Sequence, residues 1–142
     1  MKKNIFILAA SVILATSCAT TSKSESSTND LNGEWTVEKI KGTTINKNAG
    51  DEIPYLGFDV KQKGIHGCTG CNYLTGSFEV KPNNTIDLSH VGSTRKLCAD
   101  MTNERLVLNA LSSVNSFKAD KKGHLFLTDK NGKTVMELNK KK

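Results

Sequence analysis

The side chains with the most chemical potential crowd into residues 64–76. There His66, Cys68 and Cys71 lie among four glycines, and Cys98 is the next cysteine along. Three chemistries could use them. A Cys-x-x-Cys pair works as a redox couple when its first thiol sits at a helix N-terminus, where the dipole lowers the thiol pKa. Here Cys71 runs on into Asn72, Tyr73 and a strand pattern, and neither Pro54 nor Pro82 is placed to supply a thioredoxin-like proline loop. A zinc site could draw on His66, Cys68, Cys71 and Cys98 as a Cys3His set, but a second closely spaced ligand pair is missing. A structural disulfide asks least, since it needs two thiols and an oxidising compartment. Pairing Cys71 with Cys98 would close a loop of nearly thirty residues and contribute roughly 3–4 kcal/mol in the chain-entropy picture. Cys68 with Cys98 is the competing pair, and whichever cysteine is left over is a spare thiol. The structural bridge is the preferred reading, ahead of redox or zinc.

Other catalytic patterns are missing from the sequence. No serine sits in Gly-x-Ser-x-Gly, and His66, His90 and His124 are scattered. Asp51 and Glu52 are adjacent carboxylates, but they lie in a loop, where solvation is the ordinary fate of such a pair. No glycine-rich loop precedes a helix in the pattern that cradles phosphate. The chain therefore reads as a non-enzyme without cofactor or metal. The 20 basic and 14 acidic residues lack an arginine-rich or aromatic-interleaved arrangement, so nucleic acid is not an expected partner.

The start of the chain supplies an address. Lys2 and Lys3 precede an apolar run ten residues long at 5–14, too short for a membrane-spanning helix, and Ala15, Thr16 and Ser17 lead into Cys18. Small residues directly before Cys18 resemble the cleavage box of bacterial lipoproteins, in which that cysteine becomes the lipidated N-terminus. Residues 1–17 are then a signal peptide, and 18–30 form a Ser/Thr-rich tether too polar to fold alone. The expected location is the bacterial cell envelope, lipid-anchored. Ala19 in place of aspartate after Cys18 resembles outer-membrane sorting in enteric bacteria. Without Lys2 and Lys3 the net charge is +4, part of it in a frayed basic tail at 140–142.

What positions the cysteines is one domain at 31–139. Residues 35–41 alternate, with Trp35, Val37 and the Lys39 stem on one face, and predict a first strand. Residues 55–60 follow Pro54, with Leu56, Phe58 and Val60 sharing a face. The glycine-cysteine stretch then reads as a shaped connection beginning with a short segment around Ile65. Pairing Lys81 with Thr85 across Pro82-Asn83-Asn84 sets Val80 opposite Ile86 and Phe78 opposite Leu88, with Asn84 suited to a left-handed backbone. A two-residue Asn131-Gly132 loop sets Leu127 opposite Met136 and Leu125 opposite Leu138. Between these hairpins, 91–98 reads as extended. Asp100 reads as a helix N-cap, Glu104 faces the positive dipole end, and Leu106, Val107, Ala110, Leu111 and Val114 form an apolar stripe of about four turns. Phe117 starts the next strand. The fold class is mainly β (α+β), antiparallel, with one packed helix.

These residues also resemble a known family. The opening Leu31-Asn32-Gly33-Glu34-Trp35, Gly70-Cys71-Asn72 with Gly76 beyond it, residues 93–99 and the terminal Leu-rich hairpin are similar to the META domain, the group that includes the HslJ heat-shock-associated lipoproteins. The resemblance implies a small cracked antiparallel β-barrel or strongly curved sheet with one packed helix, and a Cys71–Cys98 disulfide. Cys68 is an extra cysteine against that pattern. The family brings no established catalytic set. The expected function is an envelope interaction or stress-maintenance module whose partner is an envelope protein or small molecule. The alternatives are a carrier holding an apolar molecule in a barrel lined by residues such as Phe58, Phe78, Val80, Ile86 and Leu88, or a Cys-based redox or zinc protein.

Overall fold

The computed structural model describes residues 26–142, so the signal segment, Cys18 and the first part of the tether lie outside the described residues. Nine antiparallel strands form one sheet in the order β2-β1-β3-β4-β5-β6-β7-β8-β9, and a further β1–β9 pairing curves it into a ring. The strands are β1 (Gly33–Ile40), β2 (Thr43–Thr44), β3 (Tyr55–Asp59), β4 (Gly64–Cys68), β5 (Tyr73–Lys81), β6 (Thr85–Ser93), β7 (Ser116–Ala119), β8 (His124–Thr128) and β9 (Thr134–Lys140). One helix, α1 (Thr102–Leu111), lies in the crossover between β6 and β7. Among the described residues no helix is long and apolar enough to cross a membrane.

The ring is weakest at one seam. β6 and β7 share a single paired position, Thr85 with Ser116, and two backbone bonds around it, from Ile86 N–H to Asn115 and from Phe117 N–H to Asn84. Elsewhere neighbouring strands pair over four or more positions, apart from the short β2.

Both hairpins adopt the expected facing residues with one change each. Val80 pairs with Ile86 and Lys81 with Thr85, and Asn83 and Asn84 both take positive φ in the loop. A bulge between Ser77 and Glu79 then sets Leu88 and Ser89 together against Phe78 in place of the simple Phe78–Leu88 pair. In the second hairpin Leu127 faces Met136 and Leu125 faces Leu138. The loop there is longer than Asn131-Gly132: Asp129 N–H bonds Lys133 C=O and only Gly132 is left-handed, which is a three-residue turn. A shift at Val135 absorbs the extra residue and restores the register. In β1, a bulge at Glu38 turns Ile40 inward opposite Met136, where simple alternation would have used Lys39.

The interior is filled by the chain's own side chains. Trp35, Val37, Leu56, Phe58, Leu125, Leu127, Met136 and Leu138 belong to one continuous cluster of buried residues, and the Phe58 and Phe78 rings meet edge to face at 5.4 Å. Each such aliphatic or aromatic side chain contributes about 1.5–3 kcal/mol by leaving water. Phe58, Phe78 and Ile86, offered as a carrier's lining, are part of that packing.

Alternate loops of a meander fall at the same end. The turns at 60–63, 82–84 and 120–123 and the C-terminus therefore share one end, and those at 69–72 and 129–133, with α1 and the loop 41–54, share the other. The first end is closed by a 3-10 turn, Thr28–Leu31, capped by Ser27, whose Leu31 is fully buried. Ser26 is buried too: its hydroxyl accepts from Ala119 N–H and donates to Ala119 C=O, both at 2.9 Å, occupying the exposed edge of β7. Packed structure thus includes Ser26, ahead of Leu31. The basic tail is likewise tied down. Lys140 is the last residue of β9 with its ammonium 4.3 Å from the Trp35 ring centroid, and Lys141 bridges to Glu34 at 2.9 Å.

Candidate functional site

Residues 64–76 are more regular than a connection. Gly64–Cys68 is a complete strand paired on both edges, and Cys68 pairs with Tyr73 to close the turn Thr69-Gly70-Cys71-Asn72. Glycine is required here for close approach: a Cβ on Gly67 would stand 2.3 Å from the Tyr55 carbonyl oxygen. In the turn, Gly70 has φ +108°, and its carbonyl accepts from Asp51 N–H at 2.7 Å and Glu52 N–H at 3.2 Å.

Around this turn lies a buried polar cluster. Asn72 is 2% exposed and uses its whole amide. Its Nδ2 donates to Glu104 Oε1 (3.2 Å) and Lys96 C=O (3.0 Å), and its Oδ1 accepts from Thr94 Oγ1 (2.8 Å) and Lys96 N–H (2.6 Å). Glu104 also accepts the Asn72 N–H at 3.1 Å and the Thr69 hydroxyl. Asn103 extends the cluster, donating to the carbonyls of Asn46 (2.8 Å) and Ala49 (2.9 Å). The Cys71–Cys98 disulfide spans a Cα separation of 6.0 Å across the same region, and Cys68 is the free, buried thiol.

Each sequence candidate now has a place. Cys71 and Cys98 spend their sulfurs on each other, which removes Cys68 with Cys98 as a pair and leaves the Cys3His set without two of its ligands. His66 faces outward and meets Glu34 at 3.2 Å. Among the described residues no group of three or more His, Cys, Asp or Glu is arranged to hold a metal. Burial pushes the Cys68 thiol above its ordinary pKa, against one bond from Gly70 N–H, so the thiolate needed for exchange is disfavoured. Cys18 lies outside the described residues.

The helix differs from its sequence reading in phase. α1 starts at Thr102, with Met101 as N-cap, and Asp100 bonds Thr102 N–H from just outside. Its buried face is Asn103, Glu104, Val107 and Ala110, while Leu106 is 42% exposed. Glu104 lies in the first helical turn as expected, and there it is a buried hydrogen-bond hub. The signal was present in the 103, 107, 110 spacing, once polar residues are allowed on the inner face. What the cluster does is hold: it fixes two loops, 41–54 and 94–101, and the helix to one turn.

The unused groups lie at the seam. Thr94 N–H bonds Tyr73 C=O, so by strand alternation Val91 and Ser93 turn their N–H and C=O groups away from β5, where no described residue accepts or donates. Beside this edge runs a groove of about 250 Å³ lined by Leu74, Leu88, Val91, Leu108 and Leu111 with Gly92, Ser93 and Ser112. On the segment continuing β6, Leu97 is 88% exposed between the bonded Lys96 backbone and the bridged Cys98. An open strand edge, an apolar floor and a braced exposed leucine form a surface shaped for contact.

The META domain family matches residues 28–142, nearly all of the described chain. This protein belongs to the META domain family. Its fold is similar to a protein from Burkholderia xenovorans solved by NMR, at 22% identity over 80% of this chain and 86% of that one, with a TM-score of 0.59. It is also similar to a DUF4847 family protein from Bacteroides vulgatus ATCC 8482, solved by crystallography, at 14% identity over 79% and 94% of the two chains, with a TM-score of 0.54. At those identities the likeness is one of fold. No curated protein matches the sequence. The META domain's curved sheet and packed helix are as the resemblance implied.

Proposed function

We propose that this META domain protein is a non-catalytic interaction module of the bacterial envelope, anchored by lipid on Cys18, that docks an extended peptide segment of a partner along β6. The open edge of β6 carries this reading. A row of unpaired N–H and C=O groups is matched only by another extended backbone, and apolar pockets beside it select the side chains of that segment. The disulfide and the Asn72–Glu104 cluster support the reading in a second way. They fix the loops around the edge before a partner arrives, which lowers the ordering cost of binding.

The test is site-specific photo-crosslinking in intact envelopes, with the photoreactive residue at Gly92, at Leu97 and, as control, at Lys130 on the same end of the ring. The expected result is a discrete protein adduct from the first two positions and none from the third. Val91→Pro removes an N–H that no described group uses, a change tolerated on an edge strand. It should cut the Gly92 adduct about tenfold, since the edge bond and the fit of the added strand are both lost. Equal labelling from all three positions would count against the docking edge. Cys18→Ser separately tests the anchor: loss of labelled fatty acid incorporation is expected, and a parent chain that takes up no label would remove that half of the proposal.

A further inference from the structure

We infer that the end of the ring bearing the 3-10 turn is a membrane-apposed face that binds anionic lipid headgroups. Three observations meet there. The turns 60–63, 82–84 and 120–123 with residues 140–142 carry seven lysines, against Asp120 and the 3-10 turn's own Asp30. The loops of the opposite end, 41–54, 69–72, 94–101 and 129–133, carry six basic against four acidic residues, so the charge is polarised along the ring axis.

Both acidic side chains at the first end are already engaged: Asp30 accepts from Ser27 N–H at 2.7 Å. Asp120 accepts from the N–H groups of Lys122 (2.9 Å) and His124 (2.8 Å) and contacts the His124 ring at 2.6 Å. Lys61, Lys63, Lys121, Lys122 and Lys142 are exposed and form no ion pair with any described residue, so five ammonium groups point into solvent from loop tips.

The first described residue also lies at this end. Ser26 is pinned to Ala119 beside the 120–123 turn, and it is only eight residue steps from Cys18, a reach of at most about 28 Å when fully extended. This part of the inference rests on the lipid anchor proposed above. Interaction with charged headgroups fades over a Debye length of about 8 Å at physiological salt. A short tether attached at the lysine-rich end brings those lysines into that range more readily than the opposite loops. The occupant is a lipid surface and not a free anion, because the lysines are spread over separate tips around a rim and converge on no pocket. With this face down, the β6 edge and Leu97 extend toward the far end, away from the bilayer.

The experiment uses the unlipidated chain from Ala19, which contains every described element of the fold, so that its outcome does not depend on the anchor. Its co-sedimentation is measured with phosphatidylcholine vesicles containing 30 mol%, by design, or no phosphatidylglycerol, at low and physiological salt. Binding only to the anionic vesicles, weakened by salt, is expected. K61Q/K63Q/K121Q/K122Q should lower the partition at least about tenfold, on the basis of the usual contribution of each lysine near an anionic surface. R95Q/K41Q/K130Q/K133Q removes the same charge from the other end and should change the partition less than about twofold, because those loops face away from the surface. Equal losses in both variants would show net charge acting without a face, and no binding to anionic vesicles would likewise overturn the inference. Either failure leaves the Cys18 labelling result standing on its own.

Discussion

Asn72 and Glu104, thirty-two residues apart, are joined by two hydrogen bonds, one from the side-chain amide at 3.2 Å and one from the backbone N–H at 3.1 Å. Both residues are buried, so each bond is made without water to replace it. Asn72→Ala leaves the Lys96 backbone groups and the Glu104 carboxylate short of partners, and should cost about 3 kcal/mol in urea unfolding. Glu104→Gln keeps the volume but sets an amide donor among groups that themselves donate. A loss of about 1–3 kcal/mol is expected for it. The double variant should lose less than the sum, with a coupling of about 1–2 kcal/mol, since both substitutions break one network. Additive losses would mean that the two residues act separately.

The disulfide makes a different prediction, because its contribution is through the unfolded chain. A sequence separation of 27 corresponds to roughly 3–4 kcal/mol of stabilisation in the loop-entropy model. Cys71→Ala with Cys98→Ala should lower stability by about that amount. Cys68 should resist alkylation in the native protein and react once denatured, giving one thiol per mature domain, since it is buried and its thiolate disfavoured. Peptide mapping that finds Cys68 in the bridge would contradict this assignment.

Which glycines matter can be predicted from what a methyl group would meet. Gly67→Ala places its Cβ against the Tyr55 carbonyl, backbone that cannot swing aside, and Gly50→Ala combines φ +87° with a 2.5 Å approach to the Gly70 carbonyl oxygen. Each should lower the thermal midpoint by several degrees, corresponding to about 1–3 kcal/mol. Gly64→Ala meets nothing within 4 Å and has ordinary φ, so its midpoint should stay within about a degree of the parent. A Gly64 variant as damaging as the Gly67 one would show that local backbone freedom, and not the close approach, is what these positions need.

The elements legible in the sequence were those whose signals are local. Alternation marked Leu125, Leu127, Met136 and Leu138, and their facing register held even though the loop gained a residue, because burial of one face fixes register more strongly than the turn does. The bulges at Glu38 and at Leu88-Ser89 were not legible, since a bulge answers to curvature imposed by distant strands. The cysteine pairing was legible only down to two alternatives until the family resemblance chose Cys71 with Cys98. Glu104 was hidden for another reason: a carboxylate in a first helical turn has a good surface role, and only the third dimension brings Thr69 and Asn72 to it. The seam beside Val91 was invisible because the missing partner of a strand leaves no mark on that strand's own alternation.

Glu34 supplies the pH test. Its carboxyl is held below its ordinary value of 4.5 by the bond from Lys141 first and by His66 second, against slight desolvation. A carboxylate whose folded pKa is depressed adds stability that is fully present above its unfolded pKa and is lost as pH falls through the folded one. The Glu34 contribution should therefore be complete at neutral pH and disappear on acidification below about pH 4.5. Because the pair is solvent-exposed, the change is small and weakens with salt. Lys141 shows the opposite sign, its pKa raised chiefly by Glu34, so the same pair is lost again as pH rises through the lysine's folded value above 10.5. Urea midpoints measured across pH for the parent and Glu34→Gln should run closest at both extremes and differ most between them, at low salt. A difference that is constant at every pH would mean that Glu34 acts by packing under the Lys141 and Tyr55 side chains and not through its charge.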